Sequence, residues 1–462
     1  MHKIEVSNIA NFPSEEMARF KELVNTFDTH RAKNELKNRY YEGKISLGEV
    51  NLGIALPDGL TKLEIGCAWG AKTVDVLAGR SMFDGFVGIN GETDTEMDEI
   101  AEKNFLCDEY IKACRDELKF GCTFATLSDS DEGVKIRWHS PLTAAAIWDG
   151  EKGRIAYGFA IINTAPDNNH NWYPTVINYY TDDAIWVLTK TVSGWVAEEH
   201  PHKMGRPLMV ALIWNATSDK PFGRSRIKEP IRRLIQGYVR TVANASIGLE
   251  FATSPQKYLL GVTDEQFDAV VNDKFRQYVG SILTSTTNPE TGEKPSFGQL
   301  QQGTISPHVE MLRMLATQFS AATGLTVTDT GVVSEANPTS SDAILAQSQT
   351  LVATAQQLNI NNSVGLKAIA MMALAITYNV SLDELSDDQK AIVPHFKNPA
   401  MPSVAVTADA AIKIASARQG FASTDVFLEM LGFDKADIRR IKSQEGRSRG
   451  VQLLESINGN NQ

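Results

Sequence analysis

The sequence predicts an α+β protein, and three observations predict it. Residues 121 to 214 are dense in Val, Ile, Thr, Tyr and Trp, arranged in short alternating runs such as VKIRW, RIAYGFAII, TVINYYT, AIWVLT and LMVALIW. Turn residues separate these runs at hairpin-like intervals, the pattern of a mostly antiparallel sheet. Long stretches with helical periodicity lie on both sides of it. The texture changes abruptly near Gly121 and again at Pro221, so strands and helices are segregated along the chain instead of alternating.

The elements follow in order. Residues 15 to 45 predict a helix, because Phe20, Val24 and Phe27 share a face, and Gly43 is its natural stop. Leu52 to Leu60 carries Gly and Pro and reads as loop. A second helix is expected over Ala68 to Ala78, closed by Gly79. A third is expected over Thr95 to Leu118, with Met97, Ile100, Phe105 and Ile111 available for burial. After the sheet, residues 223 to 253 read as one long helix containing six basic residues, Arg224, Arg226, Lys228, Arg232, Arg233 and Arg240, and Pro255 ends it. QKYLLGV reads as a strand and 263 to 280 as a short helix, with Thr263 as N-cap and Asp264 and Glu265 in its first turn. Thr284 to Gly303 is polar and rich in turn formers. Ser306 and Pro307 open a helix that runs to Ala322, with Gly324 beyond its end. Residues 325 to 340, LTVTDTGVVSEANPTS, read as a loop. The longest helical segment spans Ser341 to about Asn379, with Asn359, Asn361 and Asn362 as candidate breaks. Residues 380 to 402 read as irregular, Ala408 to about Arg449 as two or three short helices, and the tail as disordered.

Composition narrows the function classes. The chain has 462 residues, enough for two to four domains, and its 42% hydrophobic and 22% charged content suits a folded protein. A net charge of -11 argues against charge-driven adhesion to nucleic acid, which runs on clustered Lys and Arg. The four cysteines, Cys67, Cys107, Cys114 and Cys122, form no C-x-x-C and no zinc pattern, so free thiols in a reducing compartment are expected. His200 and His202 have no third ligand nearby in sequence. The N-terminus lacks the apolar core of a signal peptide, and the longest apolar run, Ala368 to Ile376, is too short to span a membrane. No Walker loop and no Gly-x-Ser-x-Gly turn occurs.

One short motif points toward an enzyme. KLEIGCAWG (62 to 70) resembles the glycine-rich turn of class I methyltransferases, and FVGIN follows about 20 residues later, where that family places a ribose-binding acid. Ala68 and Trp69 stand where a glycine and a small residue are wanted, and Asn90 replaces the acid. The alternative is a packed helix, AKTVDVLAGR, closed by Gly79.

Seven further segments carry a different resemblance. They are NRYYEGK (38 to 44), TVDVLAGRSMFDGF (73 to 86), LKFGCTFATL with HSPLTAAAIWD (118 to 127 and 139 to 149), KMGRPLMVALIWN followed by PFGRSRI (203 to 227), SPQKYLLGV (254 to 262), ATGLTVTDTGVVSEANPTSSDAI (322 to 344) and ADAAIKI (408 to 414). In this order they are similar to the portal proteins of siphovirus-type tailed bacteriophages, over about residues 30 to 445. Arg226 departs from that pattern in being more basic. The resemblance implies a mixed α/β wing domain with an antiparallel sheet (1–220), a long-helix stem (221–253 and 307–324), a small α/β clip (254–306), a channel loop (325–340), a long helix supporting that loop (341–380), and a wing return with a helical C-terminal crown (381–462). It implies a ring of twelve copies at a capsid vertex, passing double-stranded DNA and docking a packaging motor (terminase), head-completion or connector proteins and a major capsid or scaffolding protein. No membrane, cofactor, metal or catalytic residue is implied. Another capsid or connector protein of a phage is the neighbouring alternative.

The resemblance also assigns candidate residues. Thr326, Thr328, Asp329, Thr330, Ser334, Glu335 and Asn337 would face the DNA in a loop with no Lys or Arg, fit for sliding contact; an ordinary surface loop is the other reading. Arg224, Arg226, Arg232, Arg233 and Arg240 would give the stem mild attraction for DNA, or pair with acids of the next subunit. Thr286, Asn288, Glu290 and Lys294 would form an exposed clip edge that binds partners.

Overall fold

The alternating runs do form antiparallel strands. The structure is a computed structural model that describes residues 4, 8–45, 65–88, 95–168, 170–253, 257–260, 292, 294, 296–299, 304–331, 341–400, 404–418, 420–433 and 437–448. It falls into two units, Met1–Lys397 and Asn398–Gln462. The fold class is α+β, as expected.

The first unit holds two sheets built mainly from the 121–214 region. A six-stranded sheet has the order β1-β9-β8-β7-β6-β5, from β1 (Ile9–Ala10), β5 (Ala144–Asp149), β6 (Arg154–Pro166), β7 (Trp172–Tyr180), β8 (Ala184–Thr191) and β9 (Gly194–Pro201). All its pairings are antiparallel except β1 with β9. Helix α1 (Ser14–Tyr41) lies on this sheet and buries Phe20, Leu23 and Phe27 against Phe159, Ile177 and Tyr179. Edge-to-face contacts of Phe20 and Phe27 with Phe159 fix its seat. A three-stranded sheet, β10-β3-β4, is built from β3 (Cys122–Ser128), β4 (Lys135–His139) and β10 (Met209–Ile213).

The larger core sits around that second sheet. It is lined by α2 (Trp69–Ala78), α3 (Thr95–Lys103), α4 (Leu106–Phe120), α5 (Glu229–Thr253), α6 (Ser306–Thr323) and α7 (Ser341–Tyr378). The expected single helix over 95–118 is two helices. Phe105 between them is left-handed at φ 49°. Asn104 is the cause: its amide donates to the Val134 carbonyl and its Oδ1 accepts from the Ile136 amide, so its side chain serves the neighbouring strand region.

The helix expected from residue 223 begins at Glu229. Gly223 has φ 69°, and a Cβ there would lie 2.1 Å from the Trp214 carbonyl oxygen. Residues 223–227 are used to bond back to the sheet junction, and Pro230 then sits in the first turn, where its missing N–H is harmless. Arg226 bonds to Thr323, the last residue of α6, while Gly237 packs on Leu315, so α5 and α6 run antiparallel side by side. The segment joining them contains a two-stranded ribbon, β11 (Lys257–Leu260) with β12 (Ser296–Gln299). Strand β12 lies inside the stretch 284–303, which reads as polar and rich in turn formers. The helix expected over 263–280 lies outside the described residues.

Helix α7 runs unbroken for 38 residues, about 57 Å. The asparagines expected to interrupt it are accommodated instead. Asn359 Oδ1 accepts from the Ser81 hydroxyl at 2.7 Å, and the Asn362 amide donates to Tyr110 at 2.9 Å and to Glu117 at 2.8 Å. Residues Ser348–Tyr378 are long and apolar enough, by length and composition, to cross a membrane. Half of that stretch is buried, with its packing against β10 and β3, which is the signature of a core helix. After a short helix α8 (Asp387–Lys390), β13 (Val393–Phe396) returns to pair antiparallel with β2 (Phe83–Val87).

The second unit contains α9 (Val404–Ala417), α10 (Asp425–Met430) and α11 (437–448). Thr424 caps α10 by accepting the Phe427 amide, and Lys442 pairs with Asp425 at 2.5 Å.

Candidate functional site: the root of the 325–340 loop and the sheet-to-helix junction

Helix α6 is capped by Gly324, left-handed at φ 73°, which lets the chain turn out of the helix without a Cβ penalty. The next residues are not an open loop. Leu325 is buried, and its carbonyl accepts from the Ser320 hydroxyl at 2.5 Å. Residues Thr328–Thr330 form a turn of 3-10 helix closed by Gly331. Asp329 holds that turn: one carboxylate oxygen accepts the Thr326 amide at 2.9 Å and the Thr326 hydroxyl at 2.8 Å, while the Asp329 amide donates back to that hydroxyl. Thr330 donates its hydroxyl to the Val327 carbonyl.

Of the loop residues singled out by sequence, Thr328 is exposed, and Thr326, Asp329 and Thr330 are half-buried parts of this turn. The expectation of a structureless loop is corrected over 325–331. Short side chains with local acceptors favour such a turn. Ser334, Glu335 and Asn337 lie outside the described residues.

The turn is tied to α2. Trp69 is buried, stacks on Phe319 at 4.7 Å and 28°, and packs against Tyr238 at 4.8 Å. Its indole N–H donates to the Thr330 carbonyl at 3.3 Å. This is the Trp of the glycine-rich motif. Gly70, beside it, is required by contact: a Cβ would lie 2.0 Å from the Tyr40 carbonyl oxygen. Strand β2, which contains the start of FVGIN, pairs antiparallel with β13, whereas the cofactor-binding fold needs parallel strands there. The motif is therefore a helix-packing device, and the methyltransferase reading is set aside.

The basic residues of 224–240 have several fates. Arg226 is buried and has no carboxylate partner among the described residues. Its Nε donates to the Thr73 carbonyl at 2.8 Å, another guanidinium nitrogen donates to the Thr323 carbonyl at 2.7 Å, and the group lies 5.7 Å from the Trp214 ring. Burial lowers its pKa to about 10, and it remains charged at neutral pH. Both acceptors are backbone carbonyls, one of them at the negative end of α6. Arg226 thus faces its own subunit's interior, which corrects its place among stem residues reaching DNA or a neighbour. Arg224 pairs with Asp219 at 3.4 Å and Arg233 with Glu229 at 2.6 Å. Arg232 donates to the Ile227 carbonyl at 3.0 Å and lies over Tyr40. Arg240 is exposed and has no ion pair among the described residues.

The junction PFGRSRI is bonded throughout. The Arg224 amide donates to Trp214, the Arg226 amide to Leu118, and the Ser225 hydroxyl to Lys119. Sequence reasoning placed Arg226 among the stem basic residues and noted it as more basic than the pattern, and it missed Trp69 as a binding partner of the loop. A Trp among small residues and a lone Arg in a turn were the available signals.

Of the clip candidates, Lys294 is exposed; Thr286, Asn288 and Glu290 lie outside the described residues. Cys67, Cys114 and Cys122 are buried thiols and Cys107 is exposed. Among the described residues, no group of three His, Cys, Asp or Glu is placed to hold a metal.

Comparison with known proteins adds the following. A family described as phage portal protein, SPP1 Gp6-like, matches residues 21–450. The portal protein of Mycobacterium phage D29 is 22% identical over 452 residues, covering 94% of this chain and 90% of its own length. Two solved structures of gene transfer agent (GTA) particles are also similar. The virion of the native particle matches with a TM-score of 0.46 and 14% identity, over 79% of this chain and 89% of that one. The neck of the native particle, computed with C12 symmetry, matches with a TM-score of 0.45 and 13% identity, over the same shares.

Proposed function

The chain belongs to the SPP1 Gp6-like family of phage portal proteins and is a subunit of a portal ring in the virion, and from that premise we propose how its parts divide the work. Twelve copies close head to tail around a channel for double-stranded DNA, as the family implies. The 1–220 region is the wing, α5 and α6 are the stem, and the 254–306 segment between them is the clip. Residues 325–340 face the channel, and α7 backs them. The 381–462 region returns to the wing through β13 and ends in a helical crown. The ring, assembled in the host cytoplasm, docks the packaging terminase, later the head-completion proteins, and the capsid or scaffolding protein. It contributes shape and charge, and no catalytic step is assigned to it.

One observation supports this reading most: an antiparallel helix pair, α5 with α6, that joins through a small β-ribbon at one end and gives way at the other to a turn with no Lys or Arg. Moving DNA needs a surface that touches phosphate without holding it. The local pairing of Arg224 and Arg233 removes part of the basic character that the stem would otherwise offer.

The test is charge reversal in the loop. Asp329 is unsuited to it, because its carboxylate holds the turn. Glu335→Lys in every subunit should leave ring assembly intact, slow packaging at low salt, and recover in part at higher salt. Packaging at the normal rate in low salt would show that 325–340 does not face the DNA.

A further inference from the structure

We propose that Trp69 and Arg226 are positioning residues for the channel loop, bolting its root to helix α2 so that the chain leaves α6 in one fixed direction in every subunit. The consequence for packaging rests on the channel-loop reading above; the anchorage itself does not.

The geometry makes two independent ties to α2 from the exit of α6. In the first, Trp69 on α2 donates its indole N–H to Thr330 while its ring stacks on Phe319 of α6. Among natural side chains, only Trp joins so large a stacking surface to an N–H donor placed at its edge. In the second, one buried guanidinium spans Thr73 of α2 and Thr323 at the end of α6. A planar fork reaches two carbonyls on different elements, which a Lys ammonium on its single point does poorly. Between the ties, the segment 325–330 is a self-contained turn held by Asp329 and Thr326, flanked by left-handed Gly324 and Gly331. The root is thus rigid over these six residues and joined to the body of its own subunit. The sequence motif left unused by the cofactor reading acquires a role: Gly70 seats α2 tightly on the end of α1, and Trp69 reaches from that seat to the loop.

The experiment uses full-length rings carrying Trp69→Phe, which keeps a stacking ring and removes the donor, and in parallel Arg226→Lys. Ring formation is checked by electron microscopy, and amide hydrogen exchange is followed over 325–331 and over the sheet. Trp69→Phe should raise exchange at 328–331 roughly fivefold, the loss expected for one hydrogen bond, with the sheet unchanged. Packaging rate should fall at the same time. Arg226→Lys should show the same local rise, so either variant that still forms rings serves. Unchanged exchange at 328–331 overturns the anchorage, whatever packaging does. Raised exchange with normal packaging upholds the anchorage and overturns the channel-loop reading.

Discussion

Glu117 is the residue whose chemistry is furthest from its sequence appearance. In sequence it is one acid among many on a charged helix. In the structure it is fully buried and accepts from the Asn362 amide, and burial raises its pKa from the ordinary value to about 8. The folded protein therefore keeps the proton across a range where the unfolded chain has lost it. Its contribution to stability is complete below pH 4.5 and is lost as pH rises toward 8. By pH 7 the loss is on the order of 3 kcal/mol. Glu117→Gln supplies a neutral side chain of the same shape. We expect it to raise the melting temperature at pH 7 to 8 and to flatten the fall in stability between pH 5 and 8. Thermal unfolding of both proteins across that range checks this, and an unaltered pH profile would show that another group sets it. The same buried network explains why Asn359 and Asn362 sit within a helix they were expected to break: their partners, Ser81, Tyr110 and Glu117, come from distant sequence. Such pairing is not readable from local pattern.

At the scale of elements, periodicity and turn residues located most of what is described. The antiparallel strands, α1, α2, α6 with its Pro and Gly bounds, and the C-terminal helices were legible. Three of the errors share one cause, namely backbone or side-chain hydrogen-bonding groups recruited by another element. Asn104 splits α3 from α4 by bonding to the strand region. Gly223 to Ile227 is drawn off α5 by Trp214, Leu118 and Lys119. Strand β12 was hidden in a polar stretch because its pairing with β11 supplies the order that its composition lacks. The candidate site was legible as a segment and not as a set of contacts, since Trp69 and Arg226 lie far from it in sequence. For the proposed clip, β12 marks the part that a deletion must spare. Replacing residues 286–294 with a short Gly-Ser linker, while leaving Ser296–Gln299 in place, should preserve ring assembly and abolish binding of the packaging motor or head-completion proteins. Pull-down with those partners reads the outcome, and loss of rings would assign the segment to the subunit interface instead.

At the scale of the whole molecule, the chain uses the polar side chains of its described residues to hold position. Its polar investment goes into fixing elements: carbonyls gripped by Arg226, a turn capped by Asp329, a long helix pinned by asparagines. A subunit of this kind acts through repetition about an axis, where small errors in direction multiply around the ring. The measurement that tests this most directly is electron microscopy of the purified full-length protein, paired with its mass in solution. We expect closed rings with a central hole and, for twelve copies of a 50.7 kDa chain, a mass of about 610 kDa. A stable 50.7 kDa monomer at micromolar concentration, across several salt conditions, would contradict it.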